Sequence, residues 1–273
     1  MTVSQALRDA ATTLAKTSDT PRLDAELLMA LALGVTRSDL LLRAMRNPAP
    51  AMFDTLVERR LAHEPVAYIT GHQEFYGLPL IVSPAVLIPR GDSETLVAAA
   101  LALKPDALRV LDLGTGSGAL LLAVLSHLEK AEGIGLDRSE AALDVARANA
   151  EALGLSPQAR FATGDWHAQG WADGLGSFDL VLCNPPYVEA DAALDEQVRA
   201  FEPASALFAG PEGLDDYRVL IPQLRALMNA GGVAILEIGA TQAEAVSAIA
   251  MAAGFATGLR RDLGGRARAL ILR

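Results

Sequence analysis

The chain has 273 residues, of which 51% are hydrophobic and 21% charged, with 33 acidic against 23 basic side chains and a net charge of −10. This composition excludes wholesale disorder and leaves room for two domains of unequal size, while the acid excess speaks against nucleic acid as a partner, since a phosphate backbone needs a basic face. No apolar run approaches the ~18–20 residues of a membrane span, Leu96–Leu103 being typical of the longest, and the start MTVSQALRDAATTLAK lacks the basic-then-apolar order of a signal peptide.

Residues 1–70 read as helical throughout. Val3, Leu7, Ala10 and Leu14 recur at helical spacing, as do Phe53, Leu56, Val57 and Leu61. Thr20-Pro21 opens a second helix whose apolar face is Ala25, Leu28, Met29 and Ala32, and Gly34 stops it; Thr36 caps a short third one through Leu40–Leu42. Short amphipathic helices of this kind bury their stripes on one another as a small bundle. Nothing in them is chemically distinctive, which suits a docking role. Residues 71–91 change character: Leu78, Leu80 and Val82 alternate, Ser83-Pro84 interrupts, and Val86 and Ile88 alternate again. The expectation is a β-hairpin connector with a proline-containing turn.

Residues 92–273 alternate between strand and helix. Strands are expected at Arg109–Leu113, Gly133–Asp137, Arg160–Thr163, Leu180–Cys183, Val233–Glu237 and Ala269–Leu272. Helices are expected at Ala119–Leu128, Glu140–Leu153, Asp215–Met228 and Gln242–Ala253. The pattern predicts an α/β fold with a doubly wound, mostly parallel sheet. On such sheets ligands sit beyond the carboxyl ends of the strands, near the switch point.

Residues with chemical character fall at those ends. Gly114-Thr115-Gly116-Ser117-Gly118 follows the first strand and opens a helix, so its backbone can approach a ligand closely. Gly114-x-Gly116-x-x-Ala119 fits a dinucleotide loop; Gly114-x-Gly116-x-Gly118 fits that of S-adenosylmethionine (SAM) enzymes. Both readings stand at this point. Asp137 ends the second strand, where a carboxylate accepts from ribose hydroxyls in either class or caps the helix near Ser139. Trp166, in Gly164-Asp165-Trp166, covers an adenine or packs in the core; Trp171 is expected to be structural only. The lone cysteine, Cys183, allows no internal disulfide and suits a reducing cytoplasm. His63, His72, His127 and His167 show no metal-ligand spacing, so no metal is expected.

Asn184-Pro185-Pro186-Tyr187 decides the chemistry. The prolines fix φ and remove two backbone donors, leaving carbonyls to face a ligand. Asn184 adds a side-chain acceptor beside the Pro185 carbonyl, and two acceptors suit a substrate –NH2. Tyr187 offers a flat face to a planar group. Holding both N–H bonds turns the lone pair of a planar nitrogen toward an incoming methyl group and stabilises the charge that builds there.

With these residues in view, the chain resembles the class I SAM-dependent methyltransferases of planar nitrogens, and within them the release-factor glutamine methyltransferases (the PrmC or HemK family). The resemblance rests on Arg22–Glu26, Glu74–Leu78, Leu87–Arg90 and Asn184–Val188, and extends to Glu202–Leu207 and Leu236–Gly239. It implies a helical bundle, a hairpin and a Rossmann-like methyltransferase domain. It implies methyl transfer from SAM to the glutamine side-chain nitrogen in the Gly-Gly-Gln loop of class 1 peptide chain release factors. By the same resemblance Gly114–Gly118 wrap the methionine end of SAM, Asp137 holds the ribose and Trp166 lies by the adenine. Asn184 and the Pro185 carbonyl grip the substrate amide, with Pro186 and Tyr187 beside it and Phe75 as a wall. Gly91 and Ser93, in Pro89–Glu94, depart from the family's Pro-Arg-Pro-Asp-Thr-Glu, and Ala267 stands where the family tends to be acidic. A glutamine methyltransferase of a ribosomal protein and an adenine-N6 methyltransferase would share Asn184–Tyr187, but a base in a duplex would have to be flipped out into a basic groove.

Overall fold

A computed structural model describes residues 1–273. Residues 1–72 and 194–201 form one compact unit, and residues 73–193 with 202–273 form a second. No helix is long and apolar enough to cross a membrane.

The first unit holds α1 (Val3–Leu14), α2 (Pro21–Leu33), α3 (Arg37–Asp39), α4 (Met52–Leu61) and α5 (Val66–Thr70). The cap signals act as expected: Pro21 begins α2, Gly34 ends it at φ +65°, and Thr36 Oγ1 accepts from the Asp39 N–H at 3.1 Å. After Asp39 the chain widens into a π turn, Leu40–Ala44. Leu7, Leu14, Leu28, Met29 and Phe53 fill the core. Beside them sits a buried ion pair, with Arg60 Nε donating to Asp24 Oδ2 at 2.7 Å. Ser18 and Thr20 hydroxyls also donate to Asp24, at 2.7 and 2.9 Å, and these extra bonds offset the cost of desolvating the pair. Glu26 takes Arg22 and Arg37, which hold its carboxyl below the usual range against the opposing effect of burial. The Arg22–Glu26 segment therefore builds the bundle itself.

The hairpin strands are β1 (His72–Phe75) and β2 (Leu78–Ile81). Their turn lies at Tyr76–Gly77, not at Ser83-Pro84, and residues 82–90 form no strand. Both turn residues have positive φ, +51° and +78°, which matches the twist of paired strands in a two-residue turn. A tyrosine in that conformation gives little sequence signal. The alternation through Val82, Val86 and Ile88 instead reports an extended chain burying one side.

The second unit continues with α6 (Glu94–Leu103), β3 (Arg109–Leu113), α7 (Ala119–Leu125), β4 (Glu132–Asp137), α8 (Glu140–Ala152), β5 (Ala159–Thr163) and β6 (Phe178–Cys183). Then come α9 (Glu196–Phe201, which belongs to the first unit), α10 (Asp215–Leu224), β7 (Met228–Glu237), α11 (Ala243–Ala252), β8 (Thr257–Arg261) and β9 (Ala267–Leu272). α7 stops short of the expected Leu128. α10 gives way to a 3-10 turn at Arg225–Leu227, and β7 starts at Met228.

The strands order as β5-β4-β3-β6-β7-β9-β8, parallel through β7, with β9 antiparallel to both its neighbours. Alternate residues feed opposite faces. Val110, Leu180, Leu182 and Ile235 join α6 and α7 in one core; Leu111, Val181, Ala234 and Leu236 join α10 and α11 in the other. The chain winds outward from β3 to β5, then returns to lay β6 on β3's other side. The carboxyl ends of β3 and β6 therefore flank the switch point, where a crevice forms.

Candidate active site

That crevice is an open cleft lined by Gly114–Ser117, Asp137–Ser139, Asp165, Trp166, Asn184 and Pro186, with Phe75 among its walls. Leu113 and Cys183 are register partners, so the glycine loop and the Asn184 turn leave the sheet side by side.

Internal bonds hold the loop. Thr115 N–H donates to the Leu136 carbonyl at 2.9 Å, and Thr115 Oγ1 to Asp112 Oδ2 at 2.6 Å. Asp112 is 1% exposed; burial pushes its carboxyl up to about 7, with the Thr115 bond drawing it partly back. Asp137 Oδ2 accepts from the Gly116 N–H and Oδ1 from the Ser139 N–H, both at 2.9 Å. This one carboxylate thus ties the loop to the start of α8, while each oxygen keeps a lone pair for a ligand. Gly114 has φ +70°, and a Cβ there would stand 3.3 Å from the Trp166 ring and 3.9 Å from the Asn184 carbonyl oxygen. Glycine keeps that three-way approach open. Trp166 is fixed by Nε1 donating to Asp216 Oδ1 at 2.8 Å, an oxygen that His167 Nε2 also approaches at 3.0 Å.

The Asn184 turn shows what it leaves unbonded. The Asn184 side-chain amide and the Pro185 carbonyl make no hydrogen bond within the protein. Tyr187, by contrast, is anchored throughout. Its N–H donates to the Leu207 carbonyl at 3.1 Å, its carbonyl accepts from Gln242 Nε2 at 3.0 Å, and its hydroxyl donates to Glu237 Oε1 at 3.2 Å. Burial and the neighbouring Glu237 push the Tyr187 phenol up, so it stays protonated. Asn184 and Pro186 face the cleft; Pro185 and Tyr187 are not among its lining residues.

The profile of the PrmC N-terminal domain matches residues 5–71, and that of a methyltransferase domain matches residues 104–250. The release factor glutamine methyltransferase of Moorella thermoacetica is 43% identical over 262 residues, covering 93% of this chain and 91% of that protein. Those of Caulobacter vibrioides (42% identical, 86% and 83% covered) and Cereibacter sphaeroides (40%, 98% and 97%) agree. The chain belongs to the release factor glutamine methyltransferase family. Among solved structures, an O-methyltransferase family protein from Burkholderia thailandensis matches with TM-score 0.53, 16% identity and coverage of 96% and 97%. A ribosomal protein L11 methylase from Lactobacillus delbrueckii subsp. bulgaricus matches with TM-score 0.50, 22% identity and coverage of 70% and 83%. These two likenesses show the fold.

The family's cofactor is SAM, and the cleft's residues fit it. Its charged lining is Asp137, Asp165, Asp216, Arg90 and Arg138. Arg90 is paired with Glu202, and Arg138 Nη2 donates to the Ser205 carbonyl at 2.9 Å. Three carboxylates thus stand against two arginines, and both arginines have protein partners. That balance suits a cationic sulfonium nucleoside better than a diphosphate, which separates the two readings the glycines left open.

Sequence reasoning missed several residues that hold the site. Glu202, 5% exposed, pairs with Arg90 and accepts from the Ile88 N–H at 3.1 Å, joining Leu87–Arg90 to Glu202–Leu207. Asn149, fully buried, accepts from the Ile81 N–H at 2.6 Å and donates to the Ile81 and Ser117 carbonyls at 3.0 and 2.9 Å, tying hairpin to glycine loop. Asp92 takes Arg268 at 3.0 Å and Arg266 at 3.3 Å, so the stretch containing Gly91 and Ser93 is bound to β9. The advance signal for Glu202 and Asp92 was the resemblance of the segments they occupy; Asn149 lies outside those segments and had none.

Proposed function

We propose that this chain transfers a methyl group from SAM to the side-chain nitrogen of the glutamine in the Gly-Gly-Gln motif of class 1 peptide chain release factors. The observation that carries the reading is Asn184, which lines the cleft with the glycine loop and whose side-chain amide no group of the protein takes up; the Pro185 carbonyl, likewise without a hydrogen bond, is its neighbour in the chain. When bound, SAM supplies a methyl group on a positively charged sulfur. Asn184 Oδ1 and the Pro185 carbonyl accept the two N–H bonds of the glutamine amide. With both held, the nitrogen's lone pair would be directed at the methyl group, and the growing positive charge would meet two fixed dipoles; as the N–C bond formed the S–C bond would break, releasing S-adenosyl-L-homocysteine, and the surplus nitrogen proton would pass to solvent in the open cleft. Pro185 and Pro186 keep those acceptors rigid. Gly114–Gly118 cradle the methionine end, Asp137 takes the ribose hydroxyls, and Trp166 covers the adenine. Alignment of the two reactants contributes up to ~7–11 kcal/mol, so the chain needs neither a nucleophile of its own nor a metal.

Residues 1–70 dock the protein substrate, and the hairpin within 71–91 connects them to the catalytic part. Residues 1–72 carry eight basic and eight acidic side chains, so the whole net charge of −10 falls on the remainder. An acidic catalytic part supports a protein partner over a nucleic acid. The buried, unpaired Cys183 supports a cytoplasmic setting. Transfer of labelled methyl from SAM to purified release factor tests the reading. Label is expected on the natural factor and not on one whose Gly-Gly-Gln glutamine is replaced; label on both, or on neither, overturns it.

A further inference from the structure

One buried acid of the catalytic unit has no task in the reaction just described. Glu237 ends β7 and is 1% exposed. Its Oε1 accepts from the Tyr187 hydroxyl at 3.2 Å, and its backbone carbonyl accepts from the Tyr217 hydroxyl at 2.7 Å. Oε2 has no hydrogen-bond partner. Ser93 and Asp92, from the turn before α6, and Arg268, from β9, face the same carboxyl. Burial pushes it up, while Ser93, Arg268 and Tyr187 draw it partly back. Arg268 is itself held by Asp92 at 3.0 Å and by the Ile238 carbonyl at 3.3 Å.

A carboxyl in such a place costs stability that an apolar residue would not. The hydrogen bond its side chain accepts at 3.2 Å is that of the Tyr187 hydroxyl. Tyr187 closes the turn that β6 opens, and the two prolines between leave little rotation to absorb a shift. The angle of the Tyr187 ring therefore passes to the Pro185 carbonyl and the Asn184 amide. Gly213 sharpens this: a Cβ there would lie 2.2 Å from the Tyr187 carbonyl oxygen, so the backbone has no slack on that side. We propose that Glu237 is a positioning residue for methyl transfer, fixing the Tyr187 ring and through it the two acceptors that grip the substrate amide. The proposal rests on the function given above.

Glu237→Ala, Glu237→Gln, Tyr187→Phe and the double variant Glu237→Ala/Tyr187→Phe test it, through steady-state kinetics on release factor and calorimetric SAM affinity. Glu237→Ala is expected to lower kcat about 10- to 100-fold, the range for loss of a hydrogen bond to a charged group. SAM affinity and KM are expected to hold within about 3-fold, because the missing interaction serves the transition state. Glu237→Gln keeps an acceptor of the same shape and recovers most of the rate. Tyr187→Phe matches Glu237→Ala, and the double variant is no slower than either. Losses that multiply in the double variant, or that fall on SAM affinity with kcat intact, overturn the proposal. Fluorine NMR of 3-fluorotyrosine-labelled protein reads the link without any substrate. The Tyr187 resonance, assigned by its loss in Tyr187→Phe, is expected to move in Glu237→Ala and to return in Glu237→Gln. An unmoved resonance overturns the proposal, whereas failure of the unaltered enzyme to methylate release factor overturns the substrate reading and leaves the fluorine result to decide the link.

Discussion

Nothing in the protein claims the Asn184 side chain, and three residue-scale expectations follow from the proposed site. Asn184→Ala removes one of the two acceptors proposed for the reacting nitrogen and is expected to lower kcat about 10²- to 10³-fold, the scale of losing one preorganised dipole. SAM affinity by calorimetry should barely change; equal loss of both would contradict the role. Asp137→Ala removes the acceptor for the Gly116 and Ser139 N–H groups as well as the proposed ribose contact. It is expected to weaken SAM binding chiefly, and unchanged affinity would take Asp137 out of the site. Asp112 gives a pH dependence. It titrates near 3.8 when unfolded and about 7 when folded, so the folded state holds the extra proton between these values. Stability therefore falls as pH rises across that window and levels off above it. Relative to an Asp112→Asn variant, the wild-type Tm is expected to drop from pH 4 to pH 7. Parallel Tm–pH curves would contradict this account of its burial.

At the scale of elements, the site depends on loops pinned from behind. Asn149 on α8 serves two of them at once, so Asn149→Ala is expected to cost about 2–3 kcal/mol in urea unfolding and to weaken SAM binding through the Ser117 end of the loop. A stability loss with SAM affinity unchanged would show that the loop holds itself. Such links explain what the sequence could and could not reveal. Buried parallel strands such as Val110–Leu113 and Leu180–Cys183 are legible because both faces are apolar. β8, with Arg260 and Arg261 at the sheet edge, carries no such run and was missed. α6 was missed for the opposite reason: TLVAAALAL is apolar on nearly every side and has no amphipathic period. The glycine loop, Asp137 and Asn184–Tyr187 stand out because each is a short contiguous signal, and Gly114–Ser117, Asp137, Asn184 and Pro186 do line one cleft. Glu202, Asp216 and Glu237 do not stand out, since each acts on a partner 50 or more residues away.

For the whole molecule, the proposed function divides between the two units. The first is close to neutral and has a core with its own buried ion pair; the second carries nearly all of the acid excess, and the cleft. A chain lacking residues 1–70 is expected to bind SAM as before and to lose kcat/KM on intact release factor, while a short glutamine peptide is used equally by both forms. Equal activity on the intact factor would contradict a docking role for the helical unit. The most direct measurement is mass spectrometry of unmodified release factor after incubation with this protein and SAM. One added methyl group on the Gly-Gly-Gln glutamine, absent with Asn184→Ala, is the predicted result. A methyl group on another residue, or none despite intact SAM binding, would contradict the account.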